Sequence, residues 1–295
     1  MANTSSELCT LDQISLDHLS DRFSALNKQE SAYVSDDYIA NINEDECQDG
    51  KKVVDVKCRQ TMTTWCYKIL DFCKASPDTC GAAMSNLDRF LSTERGNFAL
   101  YDRRWFQLAV MCSLQLAIKI HDSGKLEMGA MLQLGRGSFT ADEVLMMEEE
   151  ILYALAWRIC PPTPYIFLEL LIELVPSTPT KQCLYNNAKK QIYKAVPQYE
   201  FSTVSQSLVA CAALLNAMDD IRSLPIEIEG AFISNLATIT GISCSDARIL
   251  TLKMDLRRVN SRSAIKKQTS NRSSMRSAGS MRKLLDSPVS VRQEI

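Results

Sequence analysis

Histidine is almost missing from this chain of 295 residues, with only His18 and His121 present. A histidine-assisted nucleophile therefore has little to work with, because the apolar stretch around Cys112 supplies no acid and base pair. Cys-x-x-Cys pairs are absent too. Cysteines 58, 66, 73 and 80 fall seven or eight residues apart, the spacing of one helix face and its continuation rather than of a zinc site, so no metal is expected. Gly135-Arg136-Gly137 lacks the third glycine and the preceding strand of a nucleotide fingerprint, and no cofactor is called for. Charges interrupt every apolar stretch before it reaches the roughly 20 residues of a bilayer span, which excludes a membrane partner. An odd count of 11 cysteines and a start without an apolar signal segment point to a reducing compartment, nuclear or cytoplasmic.

Net charge is also small, −2 overall, so nothing global favours nucleic acid, although residues 1–57 are acidic and residues 261–295 basic. No region sustains the period-two alternation of a strand, whereas apolar residues recur at helical spacing from Asp45 to Arg258. The expected class is all-α. Helices are predicted over about 52–75, 78–92, 102–121, 126–134, 140–157, 164–175, 181–196, 201–219, 225–239 and 244–258. Pro161-Pro162-Thr163-Pro164 divides them into two groups of five, because consecutive prolines remove backbone donors and push preceding residues out of helical geometry. In each group the third helix is apolar nearly all round, Phe106–Ile120 in one and Ser205–Leu215 in the other, and such helices need neighbours on every side. Two tandem five-helix bundles follow, over 45–160 and 161–260, flanked by a largely flexible acidic segment at 1–44 and a serine-rich, basic, disordered tail at 261–295.

One lysine stands out. Lys119 closes the otherwise almost uncharged run from Trp105 to Ile120, and an ammonium group on a buried helix needs a carboxylate or costs several kcal/mol. The next amphipathic stretch opens with a cap-like Thr140 and carries Glu148, Glu149 and Glu150 before its apolar half. A lysine and a glutamate on neighbouring helices make one half-exposed ionic anchor. The plainer reading is a lysine snorkelling at a helix end and solvated acids near a helix start.

These residues resemble a cyclin, the regulatory subunit of cyclin-dependent kinases, over about residues 50–260. Cys58-Arg-Gln-Thr-Met-Thr-Thr-Trp65 is similar to the family's opening helix, and Asn86-Leu-Asp-Arg-Phe-Leu-Ser92 to its second. Leu116-Ala-Ile-Lys-Ile120 is similar to the end of the third, while Met147-Glu148, Ile151-Leu152 and Leu155-Ala-Trp-Arg-Ile159 are similar to the fifth. The resemblance implies a non-catalytic activator that binds a cyclin-dependent kinase and holds its C helix inward, in cell-cycle control. Lys119 and Glu148 would grip the kinase, with Leu116, Ile120, Trp157 and Ile159 supplying apolar surface around them. Trp157 and the Pro-Thr-Pro that follows have a D-type flavour, but the D-type Leu-x-Cys-x-Glu motif is absent.

By the same resemblance Arg59 and Asp88 form an internal salt bridge between the first two helices. Cys58, Met62, Trp65 and Gln107 align with the patch by which many cyclins hold Arg-x-Leu segments of substrates and inhibitors. Met62 and Trp65 read equally as core and Gln107 as a solvated side chain. Lys68, one turn beyond Trp65, stands where docking cyclins often place an acid, with Asp71 nearby to compensate. In the tail, Ser287-Pro288 is a candidate proline-directed phosphorylation site, Arg282-Lys-Leu-Leu285 fits a loose degradation pattern, and Lys266-Lys267 a nuclear-import segment. The competing reading is a general transcription factor with two such bundles that binds DNA. That class usually carries a zinc ribbon ahead of the bundles and a basic core surface, and here the N-terminus is acidic without Cys-x-x-Cys.

Overall fold

The computed structural model describes residues 13–42, 53–221 and 225–270. Among these residues the chain is all-helical, with no strand. In chain order the helices are α1 (Gln13–Glu30), α2 (Val56–Cys73), α3 (Pro77–Leu91), α4 (Arg103–His121), α5 (Met128–Leu134) and α6 (Ala141–Ala154). There follow α7 (Pro164–Leu171), α8 (Lys181–Ala195), α9 (Gln206–Asp219), α10 (Ile226–Thr240) and α11 (Ala247–Ser270). None of the described helices is long and apolar enough to cross a membrane.

The first compact unit comprises Tyr33–Pro161 and the short segment Ala195–Val204. Its helices start where the chain supplies a cap. Asp55 accepts from the Cys58 amide at 2.7 Å, Ser76 caps α3 ahead of Pro77, and Asp102 accepts from the Arg104 amide at 2.9 Å. Thr140 and Glu143 form a reciprocal capping box at the start of α6. Between its ends α4 is buried continuously from Phe106 to Ile118, as expected of a helix apolar on every side. The turn between α3 and α4 requires Gly96, because a Cβ there would collide with the Phe90 carbonyl oxygen.

The second unit comprises the described residues up to Ala32, Pro162–Lys194 and Ser205–Lys266. Its central helix α9 is buried from Ser207 to Met218. One break between the two units lies between Pro161 and Pro162.

Two sequence expectations need correction. Residues 13–42, read as flexible, instead contain the 18-residue α1, whose Leu19 and Phe23 are buried. Phe23 meets Phe167 of α7 edge to face at 5.8 Å, and the Glu30 carboxylate accepts from Ser205 Oγ (2.7 Å), Ser207 Oγ (2.8 Å) and the Ser207 amide (3.0 Å). Glu30 thus supplies in trans the cap that Ser205 does not provide for α9. Residues 33–42 join the first unit through Tyr38, whose hydroxyl donates to Asp88 Oδ1 at 2.9 Å. The bundles are therefore not the contiguous 45–160 and 161–260: one begins by Tyr33 and takes in 195–204, and the other recruits α1 from upstream. At the far end α11 continues to Ser270, so the helical backbone extends past residue 261. Ser287 and the Arg282–Leu285 motif lie outside the described residues.

Candidate kinase-facing surface

Lys119 sits in the last turn of α4 and Glu148 in the middle of α6. The ammonium donates to both carboxylate oxygens, at 2.7 Å and 2.8 Å. Glu148 is nearly buried beside Val144, Met147 and Ile151, whereas the Lys119 side chain is 46% exposed. The pair is therefore the half-exposed anchor that the sequence suggests: a carboxylate set in apolar surroundings holds an ammonium that still faces outward. Burial pushes the Cys112 thiol up and the nearby Glu148 charge adds to it, which favours its protonated form in the core.

Of the residues expected to surround the pair, Leu116 is buried, Ile159 half-buried, and Ile120 and Trp157 exposed, Trp157 to 65%. Three further apolar side chains that sequence reasoning did not single out, Leu145, Met146 and Tyr153, are exposed on α6. The signal was present. They fall off the stripe Val144, Met147, Ile151 that turns into the core, so their apolar bulk has no internal partner. Isolated exposed hydrophobics are ordinary, and of these five only Leu145, one turn from Glu148 on α6, and Ile120, next to Lys119, are placed beside the ion pair by their positions on the helices.

Arg59 and Asp88 also meet, and their surroundings differ entirely. Arg59 Nε and Nη2 donate to Asp88 Oδ1 and Oδ2 at 2.8 Å and 2.7 Å, and Nη1 donates to the Val196 carbonyl at 3.0 Å. Burial alone would lower the Arg59 pKa, and the Asp88 carboxylate overcomes it, holding the guanidinium charged. Tyr38 closes the same carboxylate from the other side. Its own pKa is raised by burial first and then by the Asp88 charge. With both members of the pair almost inaccessible, the network holds the bundle together from within.

The peptide-docking patch is corrected. Cys58, Met62, Trp65 and Gln107 are each at most 5% exposed and offer no surface to a peptide. Three of them belong to the continuous core that includes Val54, Leu100 and Phe106, because α2 turns most of its circumference inward. Lys68 is exposed beyond them. Among the described residues no cluster of three or more histidine, cysteine or acidic side chains is placed to hold a metal ion.

With this geometry in view, the likeness to known proteins is specific. The family model described as the cyclin N-terminal domain matches residues 21–160. The chain is 28% identical to G2/mitotic-specific cyclin-2 of Antirrhinum majus over 60% of its own length and 39% of that protein. It is 26% identical to G1/S-specific cyclin-D1 of Xenopus laevis over 56% of its length and 55% of the relative. The matches thus span about two fifths to just over half of those relatives. A solved viral cyclin from herpesvirus saimiri superposes with a TM-score of 0.57 at 19% identity, covering 83% of this chain and 97% of the other, and shares its fold. Residues 21–160 match the model of a cyclin N-terminal domain, and the chain is similar to the cyclins named above in sequence and to the viral cyclin in fold.

Proposed function

We propose that the chain is a non-catalytic subunit that binds a cyclin-dependent protein kinase through the α4–α6 face of the first bundle and holds the kinase's C helix inward. The observation that carries this reading is the half-exposed Lys119–Glu148 pair, with exposed Ile120 next to Lys119 in the chain and exposed Leu145 one turn before Glu148 on α6. Exposed apolar side chains of this kind supply affinity by desolvation, while the ion pair fixes register against polar backbone groups of the partner. Glu148 is satisfied internally on both oxygens, which leaves the outward side of the Lys119 ammonium to donate to the kinase. Holding the C helix inward completes the lysine–glutamate pair on which phosphoryl transfer depends, so activation needs no chemistry from this chain.

The same face disfavours nucleic acid. Its charge is mixed, with Glu149 exposed and Glu150 paired to Arg95 at 2.8 Å, and so does not make the basic stripe that a phosphate backbone needs. A role in the cell-division cycle follows the relatives named for G2/mitosis and for the G1/S step, and those two names assign no single phase. Affinity purification that identifies the bound kinase, followed by phosphorylation of a Ser-Pro peptide by that purified kinase with and without the chain, tests the proposal. Activation by wild type and none by Lys119→Ala is the expected result. Equal activation by both overturns it.

A further inference from the structure

The turn that ends α6 carries backbone strain at two successive residues. Ala156 has φ 49° and Trp157 φ 62°, and neither is glycine. In the left-handed region a Cβ crowds the neighbouring carbonyl at a cost of about 1 to 2 kcal/mol per residue. The turn is built like a Schellman stop: the Trp157 amide donates to the Leu152 carbonyl at 2.9 Å and the Ala156 amide to Tyr153 at 3.1 Å. Such stops normally place glycine where this chain has Ala156, and the left-handed Trp157 after it is a further departure. Their product is the exposed indole of Trp157.

Strain of this kind persists only where the surroundings impose it. Two side chains of α3 do so. Asn86 Nδ2 donates to the Ile159 carbonyl at 3.0 Å, and Arg89 Nη1 donates to the Arg158 carbonyl at 2.7 Å. Asn86 is fully buried and Arg89 nearly so. No carboxylate among the described residues pairs with Arg89. Its guanidinium lies 4.4 Å from the Tyr33 ring instead, and its pKa is lowered, first by burial and further by the charge of Arg158. Burying a cation without a counter-ion is costly, so Arg89 is a poor choice for packing alone. What it secures is the segment that follows the strained turn.

We propose that Asn86 and Arg89 are positioning residues for the kinase-facing surface: by holding the carbonyls of Arg158 and Ile159 they fix the left-handed turn that stands Trp157 out of the bundle. This rests on the reading of the α4–α6 face as the kinase interface. Both side chains are buried and act through the turn, as a preorganised surface lowers the ordering cost of association.

Fluorine NMR of the full chain labelled with 5-fluorotryptophan tests it, since the chain has only three tryptophans, at 65, 105 and 157. In Arg89→Met and in Asn86→Ala the Trp157 resonance is expected to shift and broaden while those of Trp65 and Trp105 stay in place. Affinity for the purified kinase is expected to fall about tenfold, the scale of one lost buried hydrogen bond to a charged group. Adding Ala156→Gly to Arg89→Met should recover part of that loss, because glycine adopts the left-handed turn freely. An unchanged Trp157 resonance overturns the proposal, as does movement of all three resonances together, which reports general loosening of the bundle. If Trp157→Ala binds the kinase as tightly as wild type, the interface reading fails instead, and the fluorine signal still decides whether Asn86 and Arg89 hold the turn.

Discussion

The Lys119 ammonium lies 2.7 Å and 2.8 Å from the two oxygens of Glu148, yet the two side chains are 46% and 10% exposed. That inequality makes the consequences of losing each partner unequal. Lys119→Ala leaves a carboxylate stranded in apolar surroundings, whereas Glu148→Gln leaves an ammonium that water already reaches. Lys119→Ala is expected to lower stability by about 1 to 3 kcal/mol, and Glu148→Gln by less than about 1 kcal/mol. Urea unfolding of the two variants checks the order. The reverse order would mean that Glu148 is not the buried member.

Arg59 and Asp88 follow the opposite rule, since both are buried and each is committed to the other. Arg59→Ala is expected to cost about 3 to 5 kcal/mol, because it leaves Asp88 with only the Tyr38 hydroxyl. Tyr38→Phe removes that hydroxyl alone and should cost about 1.5 to 3 kcal/mol. Unchanged unfolding midpoints for both would contradict a structural role.

How much of this was legible in the sequence depends on where each interaction partner lies. All ten helices from α2 to α11 were readable because each carries its own apolar periodicity, and the continuous burial of α4 and α9 follows from side chains apolar on every face. Lys119 and Glu148 were found because a lone charge beside an apolar run demands a partner. α1 was missed for the converse reason. Its buried stripe is as narrow as Leu19 and Phe23, and what makes it dock is supplied by Phe167 and by Ser205 and Ser207 at the start of α9, far away in the chain. Burial of Met62 and Trp65 was one of two readings left open, since one helix face reads alike whether the chain around it leaves it open or closes it, and burial of Gln107 on α4 ran against its reading as a solvated side chain. The strain at Ala156 and Trp157 breaks a local backbone rule, and no local pattern announces it.

Glu30 offers a direct check on α1. Glu30→Ala removes the acceptor for the Ser205 and Ser207 hydroxyls and the Ser207 amide, and cap losses of this kind cost about 0.5 to 2 kcal/mol. Hydrogen exchange should show faster exchange across α1 and at the start of α9, with the first bundle unaffected. Unaltered protection in α1 would mean that Glu30 does not fasten it.

Asp122 gives the stability a pH dependence. Burial alone would raise its pKa, but donation from Lys125 Nζ (2.7 Å), Thr79 Oγ1 (2.6 Å) and the Ser76 amide (3.1 Å) holds it below the usual carboxylate range. A carboxyl group depressed in the folded state stabilises the fold above its unfolded pKa, and that stabilisation is lost as pH falls through the folded value. Wild type is therefore expected to exceed Asp122→Asn in melting temperature near neutrality, with the gap closing below about pH 4. A gap that stays constant with pH would contradict the linkage.

The decisive measurement is the affinity of the purified cyclin-dependent kinase for wild type, Lys119→Ala and Glu148→Ala, by calorimetry, with circular dichroism confirming that each variant is folded. Although the two positions differ in what they cost the fold, each removes half of the same anchor. Binding should therefore weaken at least tenfold in both. Folded variants that both bind within twofold of wild type would contradict the kinase-facing assignment of this surface.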